Sequence, residues 1–238
     1  MQQNPTLWRD PATHLAREQP DQPVLYFDPA LLQATARQFQ GGFDGLVTYA
    51  VKANDSAVVL DNLVAAGLTA FDVASPAEMV AVRRALPSAT LHYNNPVRSA
   101  AEIAAGIAAG VASWSVDDMG ELRKLHAVPR ACEVAVRFAL PVSGAAYDFG
   151  AKFGATPEHA VELLRAVAEM GFAPSLCFHP GTQCEDPNVW AVYIRAAEEI
   201  TKTAGVTTGR LNVGGGFAEH RGPVVPDLDD VFHDIDGA

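Results

Sequence analysis

The chain has 238 residues, 49% apolar and 19% charged, enough apolar material for one large packed domain and too much for a disordered chain. Acidic residues outnumber basic ones 28 to 17, a formal net charge of −11, which argues against the basic surface that a nucleic-acid partner requires. No apolar run approaches the roughly 20 residues of a membrane span. The N-terminus has no apolar signal segment, and Cys132, Cys177 and Cys184 form no paired framework, so the expectation is a soluble cytoplasmic protein with reduced thiols.

Residues 1–23 read as a polar lead and residues 24–238 as one domain. VLYFD (24–28) leads into the fold, and VTYAVKA (47–53) is the first strand-like run. AFDVAS (70–75) follows Gly67, placed where a C′ glycine stops a helix. Ser75-Pro76-Ala77-Glu78 then has the form of a capping box with proline at the first helical position. TLHYNN (90–95) is followed by Ser99 with Glu102, and SWSVD (113–117), after Gly110, by Asp118 with Glu121, both at capping-box spacing. EVAVRFAL (133–140) precedes a helix opened by Thr156-Pro157, whose Ala160, Leu163, Leu164 and Val167 recur near a 3.6-residue period. Gly171 stops it before SLCFHPG (175–181), and Gly205 stops the next helix before RLNVGGG (210–216).

Strand–helix alternation with runs apolar on both faces implies a parallel sheet covered by helices. Seven such runs suit a (β/α)8 TIM-type barrel of about 250 residues better than an open sheet of five or six strands. DLDDVFHDIDGA (227–238) reads as the opening of the seventh helix, so the expected fold is an α/β barrel truncated after about seven strands.

Barrels of this kind place their chemistry at the C-terminal strand ends. There stand Lys52, Asn54, Asp72, Ser75, His92, Asn94, Arg137, His179, Thr182 and Gly214-Gly215-Gly216. Lys52 lies among Tyr49, Ala50, Val51 and Ala53, an apolar setting that suits a Schiff-base amine, or else it is a lysine snorkelling at a strand end. The three glycines let backbone N–H groups approach an anion, or simply make a tight turn. His179 could stack on a cofactor, act as acid or base, or be a core histidine. Glu78 is accounted for by capping; Asp72 has no helical role and is the better functional candidate. Cys177, His179 and Cys184 lack zinc spacing, and no metal is expected. Lysine, glycine turn and histidine together suggest a phosphorylated aldehyde cofactor.

Tyr49-Ala50-Val51-Lys52-Ala53-Asn54 resembles the Y-A-V-K-[AC]-N signature of the fold-type III pyridoxal-phosphate enzymes, the ornithine, arginine and diaminopimelate decarboxylase group. Phe71-Asp72-Val73-Ala74-Ser75 with Glu78, Lys152-Phe153-Gly154, Phe178-His179-Pro180-Gly181-Thr182 and Gly214-Gly215-Gly216-Phe217 match in the same order, over residues 24 to 220. The resemblance implies a barrel of the alanine racemase/group IV decarboxylase kind with pyridoxal 5′-phosphate as cofactor. It implies that Lys52 carries the cofactor as a Schiff base, that His179 stacks on the ring, and that Thr182 and Gly214, Gly215 and Gly216 hold the phosphate. Asp72 and Arg137 would lie beside the ring, so the implied catalytic set is Lys52, His179 and Asp72. Lys152 would reach across a homodimer interface. The implied reaction is decarboxylation of a basic amino acid in polyamine biosynthesis. Residues 142–154, VSGAAYDFGAKFG, favour the ornithine-like branch.

Pro180 stands where the family usually has valine, and proline removes a backbone donor. The family's strand-8 Glu-Pro-Gly-Arg motif and its C-terminal β-domain are not in this sequence. Besides a decarboxylase represented by a fragment, the readings are a catalytically incomplete homologue that binds cofactor or regulates a full-length partner, and a single-domain cofactor-binding barrel.

Overall fold

A computed structural model describes residues 6–141, 145–147, 152–219 and 227–238. In chain order its strands are β1 (Tyr49–Ala50), β2 (Ala70–Val73), β3 (Thr90–Tyr93), β4 (Ser113–Val116), β5 (Glu133–Arg137), β6 (Ala145–Tyr147), β7 (Ala173–Cys177), β8 (Thr182–Cys184) and β9 (Leu211–Asn212). Its helices are α1 (Pro11–Glu18), α2 (Pro29–Gly42), α3 (Ala57–Ala65), α4 (Pro76–Ala85), α5 (Ala100–Ala109), α6 (Met119–Lys124), α7 (Pro157–Glu169), α8 (Asn188–Ala204) and α9 (Leu228–Asp236). Strands β1, β2, β3, β4, β5, β7 and β9 form one parallel sheet in chain order. That order, without the reversal of a doubly wound sheet, is the winding of a (β/α) barrel. Among the described residues it stops at seven parallel strands. The antiparallel pair β6–β8, which the sequence did not signal, joins the loops that follow β5 and β7.

The expected helices begin at their expected caps. Ser99 and Glu102 make a complete capping box, Glu102 accepting from the Ser99 N–H at 2.7 Å. At Ser75 the box is shifted: Ser75 Oγ accepts from the Glu78 N–H, but Glu78 Oε2 accepts from Ala74 N–H, just past the end of β2. Asp118 caps α6, whereas Glu121 turns to the Arg98 N–H at 3.2 Å and to Lys124 instead of closing a box. Gly67, Gly110, Gly171 and Gly205 all have positive φ just past helix ends. At the N-terminus the lead contains a helix that the sequence reading did not place, α1, capped by Asp10, and VLYFD is an exposed segment outside the sheet whose Tyr26 hydroxyl meets His14 at 2.6 Å.

Alternation along the strands divides their residues between two environments. Phe71, Val73, Leu91, Tyr93, Trp114, Val116, Val134, Val136 and Leu176 are buried in the apolar core. Their neighbours along the chain, Asp72, Asn94, Arg137, Cys177 and Asn212, line a cavity inside the sheet's curve. Trp114 packs against α5 so closely that a Cβ on Gly106 would stand 2.5 Å from its ring.

The sheet ends at β1 and β9, whose outer edges find no strand partner among the described residues. Between them lies an apolar gap of about 340 Å³, lined by residues including Leu32, Phe39, Val47, Val213, Phe217 and Phe232. Phe217 sits in an aromatic cluster there, stacked on Trp190 at 5.3 Å and edge-on to Phe39 at 5.2 Å. Two outcomes are expected. Gly106→Ala destabilises the fold by about 1–3 kcal/mol through overpacking, measured by denaturant unfolding. The isolated chain self-associates through its unpaired edges and apolar gap; a strictly monomeric chain with a cooperative high-temperature melt would show the seven-stranded form to be self-sufficient.

Candidate active site

The C-terminal strand ends enclose a cavity of about 330 Å³, lined by Lys52, Asp72, Asn94, Arg137, His179, Gly214 and Gly215 among others. Each arrives there by a local feature. The run 47–53 does not continue as a strand: Val51–Ala53 winds into a single 3₁₀ turn, which carries Lys52 to the cavity and leaves it exposed. The expected apolar setting for this amine is thereby corrected. Asp72 stands on β2 opposite Ala50 of β1 and His92 of β3. Arg137 ends β5, in register with Cys177, and its guanidinium lies 5.3 Å from the centre of the Phe153 ring, which Lys152 also approaches. Asp117, past the end of β4, accepts from the Gly154 N–H at 3.0 Å and so pins the turn that carries Lys152 and Phe153.

Burial pushes the Asp72 carboxyl up to about 6, offset in part by Asn94 and Thr48 and by the charges of Arg210 and Lys52; its Oδ1 is buried without a hydrogen-bond partner. Burial likewise pushes His179 down to about 4, helped by the positive charges of Arg137 and Lys52, so the ring is neutral near pH 7. His179 Nδ1 accepts from the Gly181 N–H at 3.1 Å, which leaves the ring proton on Nε2. Cys177 is buried, and its thiol is pushed up to about 12, an inert lining group.

The glycine turn is built for close approach. Gly214, at φ +84°, lies so near Phe178 that a Cβ would fall 2.1 Å from the Phe178 carbonyl oxygen, and a Cβ on Gly216, at φ +86°, would fall 2.2 Å from that of Gly181. Asn212 Oδ1 accepts from the Gly214 N–H at 2.8 Å and holds the turn's first residue in place.

The structure thus brings Lys52, Asp72, Arg137, His179, Gly214 and Gly215 around one space. Gly216 lies just outside the lining, and Thr182, exposed on β8, stands outside it too. His92 is not at the mouth: it lies below the cavity, its Nδ1 2.7 Å from Ser113 Oγ. Ser75 is the α4 cap, and Asn54 caps the turn before α3 by accepting from the Ser56 N–H. Most of the run 142–154 that favoured the ornithine-like branch lies outside the described residues. Sequence reasoning missed Asn212, Asp117 and Cys177. Asn212 and Cys177 stand two residues before Gly214 and His179, and that period-two offset was a usable signal.

Residues 30–235 match the family model described as pyridoxal-dependent decarboxylase, pyridoxal binding domain. The chain is 32% identical over 206 residues to an ornithine decarboxylase of Panagrellus redivivus, covering 83% of this chain and 46% of that protein. It is 32% identical to a lysine/ornithine decarboxylase of Selenomonas ruminantium, covering 72% of this chain and 44% of that one. The solved lysine/ornithine decarboxylase of Vibrio vulnificus complexed with putrescine superposes with a TM-score of 0.81 at 25% identity, over 95% of this chain and 61% of that one. The chain therefore spans about half the length of the curated relatives it matches. It belongs to the pyridoxal-dependent decarboxylases through their pyridoxal-binding domain, and its cofactor is pyridoxal phosphate.

Proposed function

We infer that this barrel holds pyridoxal phosphate in the cavity between Lys52, His179 and Gly214 and serves the decarboxylation of a basic amino acid, with an ornithine-like substrate favoured. The observation that carries this reading is the convergence of an amine, a neutral imidazole, a buried carboxyl and a glycine turn on one space of about 330 Å³. The residues fit the cofactor. At Gly215 a Cβ would stand 3.5 Å from the His179 ring, so the glycine leaves open the cavity space that a phosphate oxygen needs, and the unpartnered Asp72 Oδ1 faces a cationic neighbourhood. The substrate class rests on the names of the relatives, ornithine and lysine/ornithine decarboxylases.

When bound, pyridoxal phosphate supplies a ring that takes up the electron pair left as the carboxylate departs. The chain's own residues do the positioning. Lys52, carried in by the 3₁₀ turn, offers the amine that holds the aldehyde carbon. His179, neutral and held by Gly181 in one tautomer, offers its ring face without introducing a charge. Arg137, backed by Phe153, offers a fixed cation to an anionic group. Asp72 provides the counter-charge to Lys52. A homodimer, with Lys152 at its interface, belongs to the same reading.

Borohydride reduction of the chain incubated with pyridoxal phosphate, followed by peptide mass spectrometry, is expected to place the pyridoxyl mass on Lys52 and to find none in Lys52→Ala. Label spread over other lysines would overturn the assignment. Gly214→Ala and Gly216→Ala are each expected to weaken pyridoxal phosphate binding by tenfold or more, read by equilibrium dialysis. The strain at positive φ and the clash with a carbonyl oxygen are each worth roughly 1–3 kcal/mol.

A further inference from the structure

The interior of a (β/α) barrel is ordinarily filled by layers of branched apolar side chains. Here the layer directly beneath the cavity is polar. Two residues before the cavity-lining Asn94, Cys177 and Asn212, on the same face of each strand, stand His92, Ser175 and Arg210; Ala70 and Ala135 hold the corresponding places below Asp72 and Arg137, and Glu133 lies two residues below Ala135. These side chains are joined. Arg210 donates to Glu133 Oε1 from Nε at 3.2 Å and from Nη2 at 2.8 Å, and the same oxygen accepts from Ser175 Oγ at 2.7 Å. Arg210 Nη2 also lies 3.3 Å from His92 Nδ1. Because a guanidinium only donates, Nδ1 is the acceptor, and His92, pushed by burial down to about 4, is neutral. His92 is in turn the register partner of Asp72 on β2. The fixed cation is therefore Arg210, gripped by Glu133 from β5 and by His92 from β3, one layer below Asp72.

We propose that Arg210 is a positioning residue for the cofactor cavity: fixed from below by Glu133 and His92, its positive charge holds the Asp72 carboxyl in its anionic form. The groups facing that carboxyl are Thr48 and Lys52 from either side of β1, His92 on β3 and Asn94 just past it, Cys177 on β7 and Arg210 just before β9. Of these only Lys52 and Arg210 carry positive charge, and Arg210 has the larger effect on Asp72. Lys52 is exposed and is the residue given over to the cofactor; Arg210 is half-buried and tied on two sides, so its charge stays in place whether or not the cavity is filled. Asp72 needs such support, since burial alone favours its protonated form.

The functional meaning of the Asp72 charge rests on the reading of the cavity as a cofactor site; the electrostatic link does not, and the test separates the two. The carboxyl carbon of Asp72 is titrated by NMR in the full 238-residue chain labelled with 13C-aspartate, assigned with Asp72→Asn. The native midpoint is expected near 6. In Arg210→Met it is expected to rise by at least about 0.5 in pH. The same rise is expected in Arg210→Met/Glu133→Gln, which leaves no unpaired interior charge and so keeps the fold. Arg210→Lys keeps the native midpoint, and Glu133→Gln alone does not raise it. A midpoint unmoved in the folded single or double variant overturns the role of Arg210. Equilibrium dialysis of pyridoxal phosphate against the same proteins supplies the second readout: affinity at pH 6–7 falls several-fold in Arg210→Met and recovers in Arg210→Lys. A native chain that binds no pyridoxal phosphate would overturn the cavity's assignment, while the titration would still decide the role of Arg210.

Discussion

Every chemical feature of this molecule depends on one constraint: side chains alternate across a parallel sheet whose strands run in register. Phe71 opposite Leu91, Trp114 opposite Val134 and Val136 opposite Leu176 belong to the continuous apolar core. The same register sets Asp72 opposite His92 and Arg137 opposite Cys177 on the other face. A one-residue slip in any strand would send its apolar set inward and its polar set into the core. The apolar face therefore defends the geometry of the polar one, although it shares no atom with the site.

The second requirement is backbone proximity. Gly214 presses on the Phe178 carbonyl and Gly216 on that of Gly181, so the ends of β7 and β9 meet with no side chain between them. Asn212 fixes the start of the turn from within the cavity, and Trp190 on α8 donates to the Val213 carbonyl at 3.2 Å from outside. The Gly214 N–H is itself taken up by Asn212, so what the turn offers an anion is the backbone that follows, held in a conformation that needs little reorganisation. It is the gain that rigid backbone offers over a flexible lysine.

Much of this was legible because it is local. Caps such as Ser99 with Glu102 and stops such as Gly110 act within a few residues, and the strand runs show directly in β-branched and aromatic content. The site was legible chiefly through ordered motifs around Lys52, His179 and Gly214. What escaped was non-local. Nothing in VTYAVKA announces that Val51–Ala53 leaves the sheet as a 3₁₀ turn, because the run's composition does not set its last three residues apart from the strand before them. The β6–β8 pair joins loops 35 or more residues apart. Arg210 and Glu133 are 77 positions apart, and no spacing rule connects them until the register is known.

The polar layer under the cavity is hard to explain by stability. Val, Ile or Leu at positions 92, 133, 175 and 210 would fill a barrel interior at least as well, since an ion pair withdrawn from water recovers little more than its own desolvation. The His92 ring even leaves Nε2 buried without a hydrogen-bond partner. What apolar residues could not supply is a positive charge at a fixed depth beneath Asp72. A free arginine there would fold toward the carboxyl or toward solvent. Glu133, held by Ser175, takes two of its donors and removes that freedom, so that the charge acts on Asp72 through space while the carboxyl stays available to the cavity above. On this view Glu133 matters by restraining Arg210, and the barrel trades some interior stability for a site whose electrostatics are set before any ligand enters.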